Sequence, residues 1–340
     1  MRLLFLRGQV PYDFHPERLK WKDIDLCEDM WTVLAERMSR ILGSGELWYW
    51  GAKKKFTVKT DDGVFQDVRY SGNFSEAGRS NTKFPDIIFA RGGFKQYDKI
   101  LSNYPGAFKI YYGAGTRIVP QPDMFKDFDM FLTDSPHQVD MVQSWVYNNS
   151  IKAHVMVLPK PAAPMFKPMP EVEKDFDVCF PANDFKFKGH GEMFQALSGS
   201  GLKVLNIGVD SLKQKREAAK YNVNIKFAGW HRREKVVELI NMCRVGLVMT
   251  HKHRDSAPRV IPELLACDLP VVVTNYVNIS DLHVNYKTGM TTKLSKVAST
   301  INKVIEERKR FTPREFYDEN LSVDVVGDHM VKAIRSLTGV

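Results

Sequence analysis

Cysteine is scarce in this chain: four among 340 residues, at Cys27, Cys179, Cys243 and Cys267, with no C-x-x-C pair. That scatter argues against a zinc ribbon or a disulfide framework and leads us to expect free thiols in a reducing cytoplasm. Long apolar runs are missing as well. No stretch approaches the roughly 20 residues needed to cross a bilayer, so no integral membrane segment is expected. The opening Met1–Leu6 is too short for a signal-peptide core and runs straight into Arg7-Gly8, so it reads as a first buried strand. Short-period repeats are absent, which sets aside solenoids and propellers.

What is present is a soluble globular composition, 44% hydrophobic and 26% charged, in a length that suits two cores of about 150 residues each. The formal net charge is +9, shared about evenly between the halves. A diffuse basic surface fits an enzyme that receives an anionic nucleotide, and equally an anionic acceptor such as nucleic acid.

Apolar runs that end in Gly, Ser or Asp and hand over to helices recur along the chain. In the first half the predicted strands are Met1–Leu6, Trp48–Trp50, Pro85–Ala90, Phe108–Tyr112, Phe128–Thr133 and Ala153–Leu158, with helices through Leu26–Ile41 and Gln138–Trp145. Polar residues 52–83, containing Lys53-Lys54-Lys55, read as a hairpin or loop. Five prolines between Pro159 and Pro170 read as a linker. The second half predicts strands at Phe176–Phe180, Lys203–Ile207, Ile225–Phe227, Val245–Met249 and Pro270–Thr274, with amphipathic helices between them and a mostly helical end from Arg314. This alternation is the signature of a doubly wound parallel sheet, whose ligands gather at the carboxyl ends of the strands.

The densest constellation is Asp255-Ser256-Ala257-Pro258-Arg259, then Glu263, then Pro270 and the strand Val271–Val273. Small residues ahead of a proline-initiated helix let a diphosphate approach backbone amides, and the helix end favours negative charge. Glu263 falls about one turn further, where a carboxylate accepts from ribose hydroxyls. Asp255 precedes the helix, near where a sugar on the diphosphate would sit.

At these residues the chain resembles the GT-B glycosyltransferases, specifically the large retaining group called family 4 or group 1. Their pattern runs roughly E-G-F-P-x-x-x-x-E-A-M-A-x-G-x-P-V-V. Pro258, Glu263, Ala266, Pro270 and Val271–Val273 match it, Asp255 replaces the first Glu, and Asp268 stands where Gly is usual. The resemblance implies an α/β GT-B fold: two Rossmann-like domains with a donor cleft between them. The expected divisions are 1–165 on the acceptor side, 171–312 for the nucleotide-sugar, and a helical segment 313–340 packing back on the first domain.

Further matches follow in the family's order. Lys188-Gly189 resembles the lysine on the donor diphosphate, although Asn183 replaces the usual Arg five residues earlier; Arg232, Arg259 or His190 would then have to supply charge. Ile225–His231, with Gly229, Trp230 and His231, resembles the strand and loop beside the nucleobase, and Asn285–Met290 the turn after the donor loop. In the first half, Phe89 and Arg91 occupy the positions of the family's His-x-His, so Arg91 becomes a candidate for phosphate or acceptor. Gly8 is a point of close approach for the sugar–phosphate, and His15 a candidate catalytic group in the loop after it.

The resemblance thus implies a hexosyltransferase: a nucleotide-sugar, most readily a UDP-sugar, gives its sugar to an acceptor hydroxyl with retention. Asp255, Lys188, Arg91 and His15 are its candidate catalytic residues. Gly8, Lys188, Gly229, Trp230, His231, Ser256, Ala257, Pro258, Arg259 and Glu263 are the candidate donor-binding set. No metal and no cofactor beyond the nucleotide-sugar co-substrate is expected: His251-Lys-His253 lacks a third ligand nearby, and no D-x-D sits where a metal-dependent sugar-transfer fold would place it. The acceptor is open between a glycan or lipid-linked saccharide and a hydroxymethylated base in DNA. Acidic Glu28, Asp29 and Glu36 on the first helix argue against membrane docking. A degenerate sugar-nucleotide-binding protein or an epimerase of the same architecture are the alternatives.

Overall fold

The computed structural model describes residues 2–7, 34, 37, 38, 41, 42, 44–50, 68–71, 85–91, 101–113, 126–184, 188–250, 257–275 and 283–339. The chain divides into two compact units, Met1–Pro159 with Val323–Val340, and Lys160–Ser322. Each is a parallel sheet with helices, the doubly wound α/β plan that the strand–helix alternation implies.

Among the described residues the first unit holds seven strands: β1 (Arg2–Arg7), β2 (Ser44–Trp50), β3 (Val68–Ser71), β4 (Ile87–Arg91), β5 (Phe108–Gly113), β6 (Met130–Thr133) and β7 (His154–Val157). Their order is β3-β2-β1-β4-β5-β6-β7, and every pairing is parallel. Strand residues alternate between two buried layers because successive side chains point to opposite faces. Leu3, Phe5, Ile87 and Phe89 share one layer with Leu34, Met38 and Leu42, which lie on a helix. Phe5 and Phe89 stack there with ring centres 4.8 Å apart. Leu4, Leu6, Ile88 and Ala90 face the other layer, with Val142 and Val146 of helix α1 (Pro136–Asn148).

The second unit repeats the plan with β8 (Phe176–Pro181), β9 (Val204–Ile207), β10 (Ile225–Gly229), β11 (Cys243–Val248), β12 (Val271–Thr274) and β13 (Gly289–Thr292), ordered β10-β9-β8-β11-β12-β13. The connecting helices are α2 (His190–Leu197), α3 (Leu212–Lys220), α4 (Arg233–Asn241), α5 (Val260–Ala266) and α6 (Val297–Glu306), followed by α7 (Pro313–Asn320). The order reverses between β8 and β11, and that switch point is where an open parallel sheet holds its ligands.

Three expectations change. Val68–Ser71 is an edge strand parallel to β2, not part of a hairpin; four residues with a single β-branched side chain give too little period to read. The proline-rich passage is not a free linker, for Ala162, Ala163 and Phe166 are buried in the second unit's core. Its prolines alternate with apolar side chains that have a layer to enter. The helical end splits at its turn: α7 packs in the second unit, through Tyr317 and Leu321, while α8 (Val323–Thr338) joins the first through Val326, Met330 and Ile334. Arg37 ties α8 to the first unit through Asp324 and Asp328. No helix among the described residues is long and apolar enough to cross a membrane.

Candidate donor site at the carboxyl edge of the second sheet

The loops after β8 and β11 meet at the switch point. Gly189 is the N-cap of α2 with φ +78°, and a Cβ built on it would run into the carbonyl oxygen of Met249, just past β11. Only glycine combines that dihedral with that closeness. Helix α2 therefore starts against the β11 loop, and its first-turn amides, at His190, Gly191 and Glu192, have no acceptor within the helix. Lys188, half-buried, precedes this turn.

His190 does not supply the positive charge for which it was a candidate. Its ring is 5% exposed, edge-on to Phe180 with centres 5.1 Å apart. Burial lowers its pKa, with Asp184 and Glu192 opposing and Lys213 adding to the shift. A neutral imidazole results.

Helix α5 begins later than its sequence suggests. Arg259 is its N-cap, Val260 its first residue, and the proline inside its first turn is Pro262, tolerated there because that amide has no helical partner. Ile261 N–H already donates to the Pro258 carbonyl at 3.1 Å, and Pro262 has no N–H. This end thus offers an anion fewer amides than a four-residue count implies. Ala257 and Pro258 are buried and Arg259 is exposed.

Glu263 sits in the first turn of α5, 8% exposed. Its Oε1 accepts from a guanidinium nitrogen of Arg233, the first residue of α4. The Arg233 guanidinium in turn lies over the Phe166 ring, 5.5 Å from its centre. Lys160, 7% exposed, donates to the Ala257 carbonyl at 3.1 Å and anchors the loop from the far end of the proline passage. Neither Arg233 nor Lys160 stood out in the sequence; an Arg at N1 against the helix dipole was the available signal for the first.

Beyond β10, Gly229 has φ +76° and a buried backbone that bonds the Val209 carbonyl at 3.1 Å. His231 Nε2 donates to the Ala228 carbonyl at 2.8 Å, which folds the loop back on its strand, and Trp230 beside it is half-buried. In the first unit Arg91 ends β4 with its guanidinium 5.3 Å from the centre of the Tyr112 ring. Tyr112 donates to the buried Asp134 carboxylate at 2.5 Å. Asp134 was missed, although Thr133-Asp134-Ser135-Pro136 marks a strand handing over to a helix. Burial pushes the Tyr111 hydroxyl up to about 12, against the opposing charge of Arg91. Gly8, His15, Asp255, Ser256 and the pair His251 and His253 lie outside the described residues, as do Lys53–Lys55. Among the described residues no three His, Cys, Asp or Glu side chains group to hold a metal ion.

With this geometry in place, residues 164–317 match the family model described as glycosyl transferases group 1. That match spans nearly all of the second unit, Lys160–Ser322. Structural comparison extends the likeness to the whole chain. Sucrose-phosphate synthase from Thermosynechococcus elongatus is 12% identical with a TM-score of 0.76, and the match covers 100% of both chains. A glycosyltransferase from Rickettsia africae gives 14% identity, a TM-score of 0.73, and coverage of 99% of this chain and 98% of that one. Anabaena HepE, in complex with UDP, gives 15%, 0.67, 99% and 100%. No curated protein matches the sequence. The chain is thus GT-B in fold, and the constellation picked out at 255–273 falls inside the family match. Its departure at 268 has a local explanation. Asp268 takes φ +59° where the family's Gly ends α5, with Asp268 N–H on the Leu265 carbonyl and Leu269 N–H on Leu264, both at 3.0 Å. That is a Schellman ending. The Asp268 carboxylate compensates by accepting from Arg308 at 2.6 Å and from the Arg314 amide at 3.2 Å.

Proposed function

We propose that this glycosyltransferase moves a hexose from a UDP-sugar to a saccharide hydroxyl, with retention and without a metal or other cofactor. The observation that carries the reading is the placement of Glu263 in the first turn of α5, in the same family-matched unit as the Gly189–Met249 contact. Both lie on elements that follow strands of one switch-point crevice. Glu263 accepts from the ribose; Gly229 and Trp230 flank the base. The diphosphate lies between the α2 end, with Lys188, and the Ala257–Arg259 turn, where Ser256 adds a small residue.

Negative charge grows on the diphosphate oxygen as the glycosidic bond breaks, so acceleration is mainly electrostatic. The first-turn amides of α2 are fixed by the helix before the reaction and need no reorganisation during it, and Lys188 adds its charge beside them. Asp255 is assigned to the sugar, and Arg91, Gly8 and His15 to the acceptor side. The UDP choice leans on Anabaena HepE, whose structures hold UDP, and UDP with glucose. The saccharide choice leans on the lipopolysaccharide outer core galactosyltransferase WaaB, 12% identical with a TM-score of 0.70. Buried free thiols at Cys179, Cys243 and Cys267 favour a cytoplasmic setting.

The test is a thermal-shift screen of UDP-, GDP- and ADP-sugars, then transfer assays on glycans and on hydroxymethylated DNA. A UDP-sugar that raises the melting temperature and is turned over on a glycan supports the proposal. Transfer to DNA alone replaces the acceptor assignment. Stabilisation by a donor that is neither transferred nor hydrolysed means a binding protein, and interconversion of the sugar means an epimerase.

A further inference from the structure

Arg233 occupies a place that its own helix does not favour. It is the first residue of α4, where the helix dipole disfavours a cation. A lysine or arginine there costs local stability unless something else uses the charge, and here the carboxylate of Glu263 does. The two side chains are only 18% and 11% exposed, so the pair is largely out of water. A buried carboxylate left without that partner carries a heavy desolvation penalty.

The pair also has a fixed backing. Phe166, 1% exposed, lies under the guanidinium. A guanidinium over an aromatic face is a contact that Arg makes more readily than Lys, whose compact ammonium is more strongly hydrated. Three separate segments therefore converge: the proline passage through Phe166, the end of the 229–232 loop through Arg233, and α5 through Glu263. One carboxylate oxygen is committed to Arg233. The other oxygen keeps its lone pairs for incoming hydroxyls.

We propose that Arg233 is the positioning residue of the donor site: it fixes the Glu263 carboxylate in place for the ribose, and links that grip to the loop beside the base. The assignment rests on the donor reading above. Because Arg233 acts through Glu263, its removal weakens only what the ribose hydroxyls contribute to binding. A purely structural bridge between α4 and α5 would instead change stability and leave ligand preference alone.

The measurement is calorimetric binding of UDP and of 2′,3′-dideoxy-UDP to the full chain, in wild type, R233Q, R233K, E263A and the R233Q/E263A double variant. Wild type prefers UDP by about 10-fold or more, the worth of one charge-assisted hydrogen bond. That preference falls to about 3-fold or less in R233Q, stays intermediate in R233K, and is no lower in the double variant than in E263A. R233K keeps the test open should R233Q fold poorly. An R233Q or R233K variant that retains the full wild-type preference overturns the proposal, as does one that binds UDP more tightly, which would make Arg233 a competitor for the carboxylate. If E263A itself keeps UDP affinity and preference, the donor reading has failed and the role of Arg233 falls with it. Loss in E263A with no change in R233Q removes the Arg233 assignment alone.

Discussion

Replacing Gly189 by alanine should damage the glycosyltransferase in two separable ways. At φ +78° an L side chain costs about 1–2 kcal/mol. The added methyl also lands far inside the 3.0 Å limit of real Cβ contacts, against the Met249 carbonyl. Backbone cannot rotate away as a side chain can, so relief of that overpacking adds about 1–3 kcal/mol. The expected loss is about 2–5 kcal/mol of stability in the second unit. Parting the two loops by roughly 1 Å also moves the diphosphate contacts, and misplacement on that scale costs about 100-fold in rate. Gly191, two residues on, is the internal control: a Cβ there meets nothing within 4 Å, and alanine should stabilise α2 by about 0.5–1 kcal/mol. Urea unfolding followed by UDP calorimetry and transfer assays reads both effects. A Gly189→Ala enzyme with wild-type unfolding midpoint and UDP affinity would refute the argument that glycine is required to close the crevice.

Asp268 yields a second prediction. Asp268→Gly relieves the left-handed residue but loses the half-exposed pair with Arg308, worth about 1 kcal/mol or less, and should unfold near the wild-type midpoint. Asp268→Ala loses the pair and keeps the strain, so it should be less stable than the Gly variant by about 1 kcal/mol; equal urea midpoints would contradict this. His190 sets a pH dependence. Its folded pKa is depressed by burial, so the unfolded chain takes up the proton first, near about pH 6.5. Its share of stability is complete above that value and is lost as pH falls toward the folded pKa. His190→Phe should flatten that part of the urea-midpoint profile between about pH 8 and about pH 5, and an unchanged slope would count against the burial argument.

Much of the second unit was legible because its signals are redundant. Strands β8, β11 and β12 are short, largely apolar runs, β8 entered from Asp175 and β12 from Pro270, and the 258–273 pattern fixes one helix and one strand by position. Glu263 stood out because its spacing from Pro258 and Pro270 resembles the family pattern. Its partner did not: Arg233 lies 30 positions away in sequence, and a cation at the start of one helix does not say which carboxylate it will meet. Lys160 was hidden for the same reason, behind prolines that read as linker because alternation of proline with Ala, Met and Phe looks irregular until a core is there to receive it. The start of α5 falls two residues past Pro258, where the sequence reading opened it. The first turn opens at Pro258, whose carbonyl accepts from Ile261, while the regular helix begins two residues on at Val260 with Pro262 inside its first turn. Asp268 looked like a departure from its family and is one in residue type, but its dihedral is the glycine's own.

The central claim is that a UDP-sugar lies at the carboxyl edge of the second sheet with its ribose on Glu263. The most direct measurement is a crystal structure of the enzyme with UDP bound. Density should place a ribose hydroxyl within hydrogen-bond distance of the Glu263 carboxylate, the diphosphate beside Gly189 and Lys188, and the uracil against the Gly229–Trp230 loop. UDP found at full occupancy elsewhere, with the Glu263 carboxylate facing only Arg233, would contradict the account.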